Sequence, residues 1–314
     1  MENSASHDTL NRLNICLFSE PEGFAFSLVE NLLIKNARVT VYTDKPASFA
    51  EYLGILKDNG NLKIINKKDF TNASFFDNVI YVDPSFSNIA KISNSGFRNI
   101  QSNNLDLAYK AMTPDDSKGL FIFPFAQTHD NAKIASFNIA KHIDSDNVNV
   151  GIVFVGELYG PRMVLTDRSL FTHLLKAIIR NKSIEGRFQN DVHPLYVGEA
   201  ARFIVDSLTK DNLYHNTTSL VGEKINVNTF LNNIYLENRG IEVKDKKLFW
   251  QQTVCSVKNI HEVPFNLKHL STTIMWYEEN KYNHLIEDTT KIEEISKIAL
   301  AAQKLKIDAV GLPR

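Results

Sequence analysis

NVGIVFVGELYGPRM at residues 149–163 and HPLYVGEAARFIV at residues 193–205 decide how this chain folds. Residues 148–155 are an almost unbroken apolar run, which reads as a strand covered on both faces rather than one with a wet side. Tyr159-Gly160-Pro161 ends it, because Gly-Pro marks a turn. In the second stretch Pro194 precedes Ala200, Ala201, Ile204 and Val205, whose spacing predicts an amphipathic helix over residues 198–208.

Outward from these stretches, strand and helix patterns alternate. Strands are predicted at residues 14–18, 38–42, 62–65, 78–82 and 120–123, with helices at 24–35, 105–112 and 132–143. This alternation predicts an α/β fold: a Rossmann-like, doubly wound parallel sheet with helices on both faces. Beyond Pro161 the pattern changes to helices at 169–180 and 198–208, a short strand at 218–220, and helices at 227–238 and 267–280. The expected organisation is a dinucleotide-type domain over residues 1–160, a smaller α/β substrate-type lobe over 161–280, and a helical extension over 281–314 with an amphipathic helix at 288–304.

Composition narrows the classes. With 43% apolar residues and a net charge of −1, 314 residues can bury a large core and carry no bias toward nucleic acid or acidic lipid. Lys and Arg are interspersed with Asp and Glu, which disfavours nucleic-acid binding. No apolar run approaches the roughly 20 residues of a membrane span, and residues 1–8 lack the order of a secretory signal. The expected location is cytoplasmic. The two cysteines, Cys16 and Cys255, form no CxxC pair, and the nine histidines show no metal-ligand spacing, so no metal is expected. Glycine is scarce: 13 in 314, about 4% against a usual value near 7%. In a nucleotide-binding fold glycines are what let phosphates approach the backbone.

The two opening stretches resemble the extended short-chain dehydrogenase/reductases, the NAD-dependent epimerase/dehydratase group that acts on nucleotide sugars. There a buried strand ends in Asn-x-Tyr-Gly-Pro, and an Arg-Asp-aromatic-x-x-Val-x-Asp-x-x-x-Ala segment enters a later helix. Tyr159-Gly160-Pro161-Arg162 and Leu195-Tyr196-Val197-Gly198-Glu199-Ala200-Ala201-Arg202 hold those places here, and LKHLSTTIMWYEEN at 267–280 matches the family's terminal helix. The resemblance covers residues 14–280 and implies NAD(P) as cofactor, a nucleotide or nucleotide-sugar ligand, and pairing of subunits through a helix such as 130–143 in a homodimer or heterodimer.

Carried over position by position, the resemblance also shows what has changed. Gly23-Phe24 fall on the central Gly-Phe of the phosphate-binding turn, with Glu20 and Phe26 in place of its first and third glycines. The first glycine makes the tight turn and the third lets helix and strand pack closely. Phe26 must therefore push helix and strand apart or point elsewhere. A carboxylate on Glu20 about 4 Å from a phosphate charge would oppose it by roughly 4 kcal/mol at an effective dielectric near 20. Glu20 is thus the expected main obstacle to NAD(P), which should bind weakly or not at all. Asp44 ends the second strand, where an acid would hold the adenosine ribose.

The family's catalytic Tyr-x-x-x-Lys pair falls on His129 and Lys133, with Thr128 as a nearby hydroxyl. Histidine is a competent general base near neutral pH, yet residues 123–129 run from strand to helix without the family's active-site loop. Thr128 is also a fitting helix N-cap. On the substrate side Glu157 replaces the family Asn, Val192-His193 replace Arg-Asp, and Arg162 and Arg187 are the candidate phosphate contacts. Glu199 stands where an acid caps the following helix. Three readings stay open: a catalytically degenerate binding, regulatory or assembly protein; an active NAD(P)-dependent enzyme with a remodelled site; and a sensor with a changed ligand.

Overall fold

The computed structural model describes residues 13–71, 75–86, 94–112, 117–124, 149–163, 170–179, 191–208, 210, 213–214, 216–228 and 259–280. The chain divides into two compact units, one of residues Met1–Val155, Gly198–Leu220 and Cys255–His261, the other of Gly156–Val197, Val221–Val254 and Glu262–Arg314. Segments from beyond residue 160 thus complete the first unit.

The first unit is built on β1 (Asn14–Phe18), α1 (Gly23–Ile34), β2 (Arg38–Thr43), α2 (Pro46–Leu53), β3 (Leu62–Asn66), β4 (Asn78–Val82), α3 (Asn94–Ala111), β5 (Lys118–Pro124) and β6 (Val150–Val155). The second contributes β7 (Glu157–Tyr159), α4 (Leu170–Ile179), β8 (Asp191–Val192) and β9 (Pro194–Tyr196). After these come α5 (Val197–Ser207), β10 (Thr217–Gly222), β11 (Ile225–Asn226), β12 (Asn259–Val263) and α6 (Leu267–Asn280). One eight-stranded sheet has the order β12-β10-β6-β5-β4-β1-β2-β3. From β10 to β3 every neighbouring pair is parallel. Strand order reverses between β1 and β4, the switch point at which doubly wound sheets open a crevice beyond the carboxyl ends of their strands.

The sheet is parallel because its strands are apolar on both faces and joined by crossovers that cover both. Cys16, Phe18, Val79, Tyr81, Phe121, Phe123, Ile152 and Phe154 pack in one cluster with Leu105, Ala108 and Ala111 of α3. The alternate residues Ile15, Leu17, Val39, Val41, Ile80, Val82 and Ile122 are as deeply buried. They point to the opposite face by the two-residue period of a strand. Cys16 lies in this core as a free thiol, its pKa raised by burial.

Helix α3 begins well before the apolar spacing predicts. Gln101 and Asn104 take inward positions one turn ahead of Leu105 and Ala108 respectively and are fully buried, so polar residues occupy sites where a helix pattern expects apolar ones. Helix α2 follows Asp44, where the sequence patterns predict no helix. Pro46 begins it, at a position where its missing N–H costs nothing.

In the second unit α4 buries Phe171, Leu174, Leu175, Ile178 and Ile179, an apolar stripe at helical spacing. Leu270, Ile274 and Tyr277 of α6 join the same cluster, and the Tyr277 hydroxyl donates to the Met163 carbonyl. Gly160 has φ +151, and a Cβ there would lie 2.3 Å from Val197 Cγ1. The Tyr-Gly-Pro turn therefore needs glycine both for its backbone and for the approach of Val197. Helices 132–143 and 288–304, and nearly all of 227–238, lie outside the described residues.

Candidate functional site

At the switch point the turn from β1 to α1 carries Ser19-Glu20-Pro21-Glu22-Gly23. Glu22 is extended (φ −161, ψ 160) and stands as N-cap of α1. Its carboxylate accepts from the Phe24 N–H at 2.8 Å (Oε2) and from the Ala25 N–H at 2.6 Å (Oε1). These are two of the amides that a helix start leaves without intrahelical partners and that bind phosphate in dinucleotide folds. Glu22 is only 4% exposed, and burial pushes its pKa up to about 7 despite the two backbone hydrogen bonds, which pull it down. Sequence reasoning passed over it, although an acid immediately before a helix start is a recognisable capping signal.

Glu20 differs from the expectation drawn for it. Its carboxylate is buried and paired with the ammonium group of Lys67, which also approaches Asp44 Oδ2 at 3.5 Å. Lys67 opens the short turn after β3, so the parallel registry of β1, β2 and β3 brings the three charges to one edge. The repulsion assigned to an isolated Glu20 charge is therefore corrected: a buried cation compensates it. Asp44 directly follows β2 and is half-exposed. Phe26 resolves the choice set by the sequence, since its ring packs on Phe49 (4.8 Å between centroids) and Tyr52 (5.1 Å), both of α2. Helix α2 takes up the ring, and α1 still covers the sheet. Gly23 and Phe24 form the first turn of α1, with Phe24 fully buried against Phe86.

Asp83, just past the carboxyl end of β4, is fully buried and accepts from the Tyr81 hydroxyl at 3.1 Å and Gln101 Nε2 at 2.6 Å. Burial and the Asp83 charge together raise the Tyr81 phenol pKa. No sequence motif marks this group, because Gln101 reaches Asp83 only once α3 packs against the end of β4.

Among the second unit's candidates, Glu157 is committed to α4. Its Oε1 accepts from the Phe171 N–H at 2.7 Å and the Thr172 N–H at 3.2 Å. Arg162 sits in a left-handed turn (φ +63) after Pro161. Near the Val192-His193 replacement, His193 Nδ1 meets the Gly222 carbonyl at 3.2 Å, and Tyr196 stacks on His269 at 4.1 Å. Glu199 lies in the first turn of α5 and pairs with Arg202. His129, Lys133, Thr128 and Arg187 lie outside the described residues. Among the described residues there is no group of three or more His, Cys, Asp or Glu placed to hold a metal, and no helix is long and apolar enough to cross a membrane.

No protein-family profile and no curated protein sequence matches the chain. Solved structures match over nearly its whole length. An epimerase from the methanogen Methanothermobacter thermautotrophicus aligns over 95% of this chain and 99% of its own, at 12% identity and a TM-score of 0.63. A UDP-N-acetylglucosamine 4-epimerase from Methanobrevibacter ruminantium, in complex with UDP-N-acetylmuramic acid, aligns over 96% and 99%, at 17% identity and 0.53. A UDP-glucuronic acid 4-epimerase from Bacillus cereus, in complex with NAD, aligns over 93% and 99%, at 11% identity and 0.53. The chain has the extended short-chain dehydrogenase/reductase fold.

That fold implies NAD(P), and the turn can be tested against it. A dinucleotide places its diphosphate on the first amides of α1, through a backbone stripped of side chains. Here those amides carry the Glu22 carboxylate. A diphosphate in the same seat would have to displace that carboxyl group from both amides, and would meet a like charge wherever the group is ionised. The residues present do not fit the diphosphate of an extended short-chain dehydrogenase/reductase cofactor.

Proposed function

We propose that this chain is a catalytically degenerate relative of the NAD-dependent nucleotide-sugar epimerases and dehydratases, acting as a binding, regulatory or assembly partner in a nucleotide-sugar or surface-polysaccharide context. The observation that carries the reading is the Glu22 carboxylate on the α1 amides, in a fold whose chemistry depends on a dinucleotide held there. Its support also includes the absence from the sequence of the family tyrosine and active-site loop around residues 123–129. On this reading residues 1–160 are a degenerate dinucleotide-type domain and 161–280 a lobe that takes a nucleotide or nucleotide sugar, with 281–314 a helical extension. Arg162 and Arg187 contact the ligand there. The protein is cytoplasmic and pairs as a homodimer or heterodimer through the helix at 130–143.

The competing reading is an active NAD(P)-dependent enzyme with His129 as base, Lys133 beside the nicotinamide ribose and Thr128 as the auxiliary hydroxyl. One paired experiment separates them. Wild type and His129→Ala are given NAD or NADP with a panel of nucleotide sugars, and cofactor reduction and sugar isomerisation are both followed. Thermal shift is recorded with NAD, NADH, NADP and NADPH, where a ligand at 100 times its dissociation constant stabilises by about 2.7 kcal/mol. The expected result is no turnover and no shift. Wild-type turnover abolished by His129→Ala without unfolding would replace this reading with the competing one.

A further inference from the structure

A carboxylate and a phosphate present the same thing to a helix start: two oxygens on one centre, sharing negative charge and accepting from adjacent N–H groups. Glu22 does so in full, with one oxygen on Phe24 N–H and the other on Ala25 N–H. Its flanking partners are satisfied as well. Glu20, the other acid of the turn, is held by Lys67 together with Asp44, and the Ser19 hydroxyl donates to the Glu20 carbonyl. The turn is therefore a closed polar system whose one anion on the helix start belongs to the chain.

We infer that Glu22 is a resident ligand: its carboxylate permanently fills the diphosphate seat, and Glu22, not Glu20, determines that the site rejects dinucleotides. The inference rests on the degenerate reading above and deepens it by naming the residue that closes the site. An internal group acts at an effective concentration on the order of millimolar or more. A free diphosphate must displace it and then tolerate a like charge left beside it. Glu20 adds no such barrier, because Lys67 compensates its charge. The first turn of α1 is thereby capped by the chain's own carboxyl group, with no nucleotide needed to order it.

The test compares Glu22→Ser with Glu20→Gly in the full chain, using inorganic pyrophosphate and ADP as probes in calorimetric titrations. Serine is a good N-cap, so α1 should survive the exchange. Glu22→Gly, which frees both amides, is the second variant should the serine protein fail to fold. The expected result is that opening position 22 lowers the dissociation constant for pyrophosphate at least tenfold below that of the wild type, with ADP following, while Glu20→Gly stays within twofold of wild type. A gain in Glu20→Gly that equals or exceeds that at position 22 would overturn the inference, as would folded position-22 variants that bind no better than wild type. Failures of the two readings are distinguishable. Wild-type turnover with NAD or NADP removes both readings, whereas a silent wild type with no position-22 gain removes this inference alone.

Discussion

Replacing Glu22 with Gln tests the burial of that carboxyl through the pH dependence of stability. In the folded protein its pKa is raised from the ordinary 4.5 to about 7, chiefly by burial. Between those values the folded state holds a proton that the unfolded chain has released. Stability must therefore fall as pH rises through this window. The contribution is fully present below pH 4.5 and gone above pH 7 or so. At 1.36 kcal/mol per pH unit the gap is worth about 3 kcal/mol. Gln keeps the shape and one acceptor oxygen and does not titrate. Gln leaves one of the two amides facing its NH2 group and so starts from a fixed offset, but relative to the wild type Glu22→Gln should gain about 3 kcal/mol between pH 5 and pH 8. For a chain of this length, at ~2 cal/mol/K of unfolding entropy per residue, that is a melting-temperature difference of about 4–5 °C. The assay is thermal unfolding of both proteins at pH 5 and pH 8, read as the difference between them so that other carboxylates cancel. A difference that is equal at the two pH values, or that shrinks as pH rises, would refute the buried-carboxyl argument.

Lys67→Ala leaves Glu20 buried without its cation and should destabilise by about 3–5 kcal/mol, whereas Asp44→Ala, at a half-exposed and longer pair, should change stability by less than 1 kcal/mol; denaturant titrations of the two variants check the ranking, and equal losses would contradict it. Glu157→Ala removes the acceptor for the Phe171 and Thr172 amides and should cost about 1–2 kcal/mol, the usual loss on removing a helix cap. Hydrogen exchange at those two amides should quicken, and unchanged protection there would mean that α4 is capped by other means.

The sequence by itself determined the layered architecture. Continuous apolar strands such as 148–155, alternating with amphipathic helices, admit little besides a parallel sheet covered on both faces, because only that arrangement buries both sides of every strand. It also located the turn of interest, since Gly23, Glu20 and Phe26 can be read against what a phosphate-binding turn requires. Local spacing could not say which acid matters. The charge of Glu20 is decided by Lys67, which arrives from the end of β3 through the registry of three strands, and the direction of Phe26 by Phe49 and Tyr52 of α2. The Asp83 group and the early start of α3 were likewise hidden, because buried polar residues such as Gln101 interrupt the apolar period on which sequence reading depends. Whether an acid repels a ligand, pairs with a lysine or caps a helix depends on what stands within a few ångströms of it. For Glu20 that neighbour comes from a distant part of the chain, and only the tertiary structure brings the two together, whereas the amides that Glu22 caps lie two and three residues along.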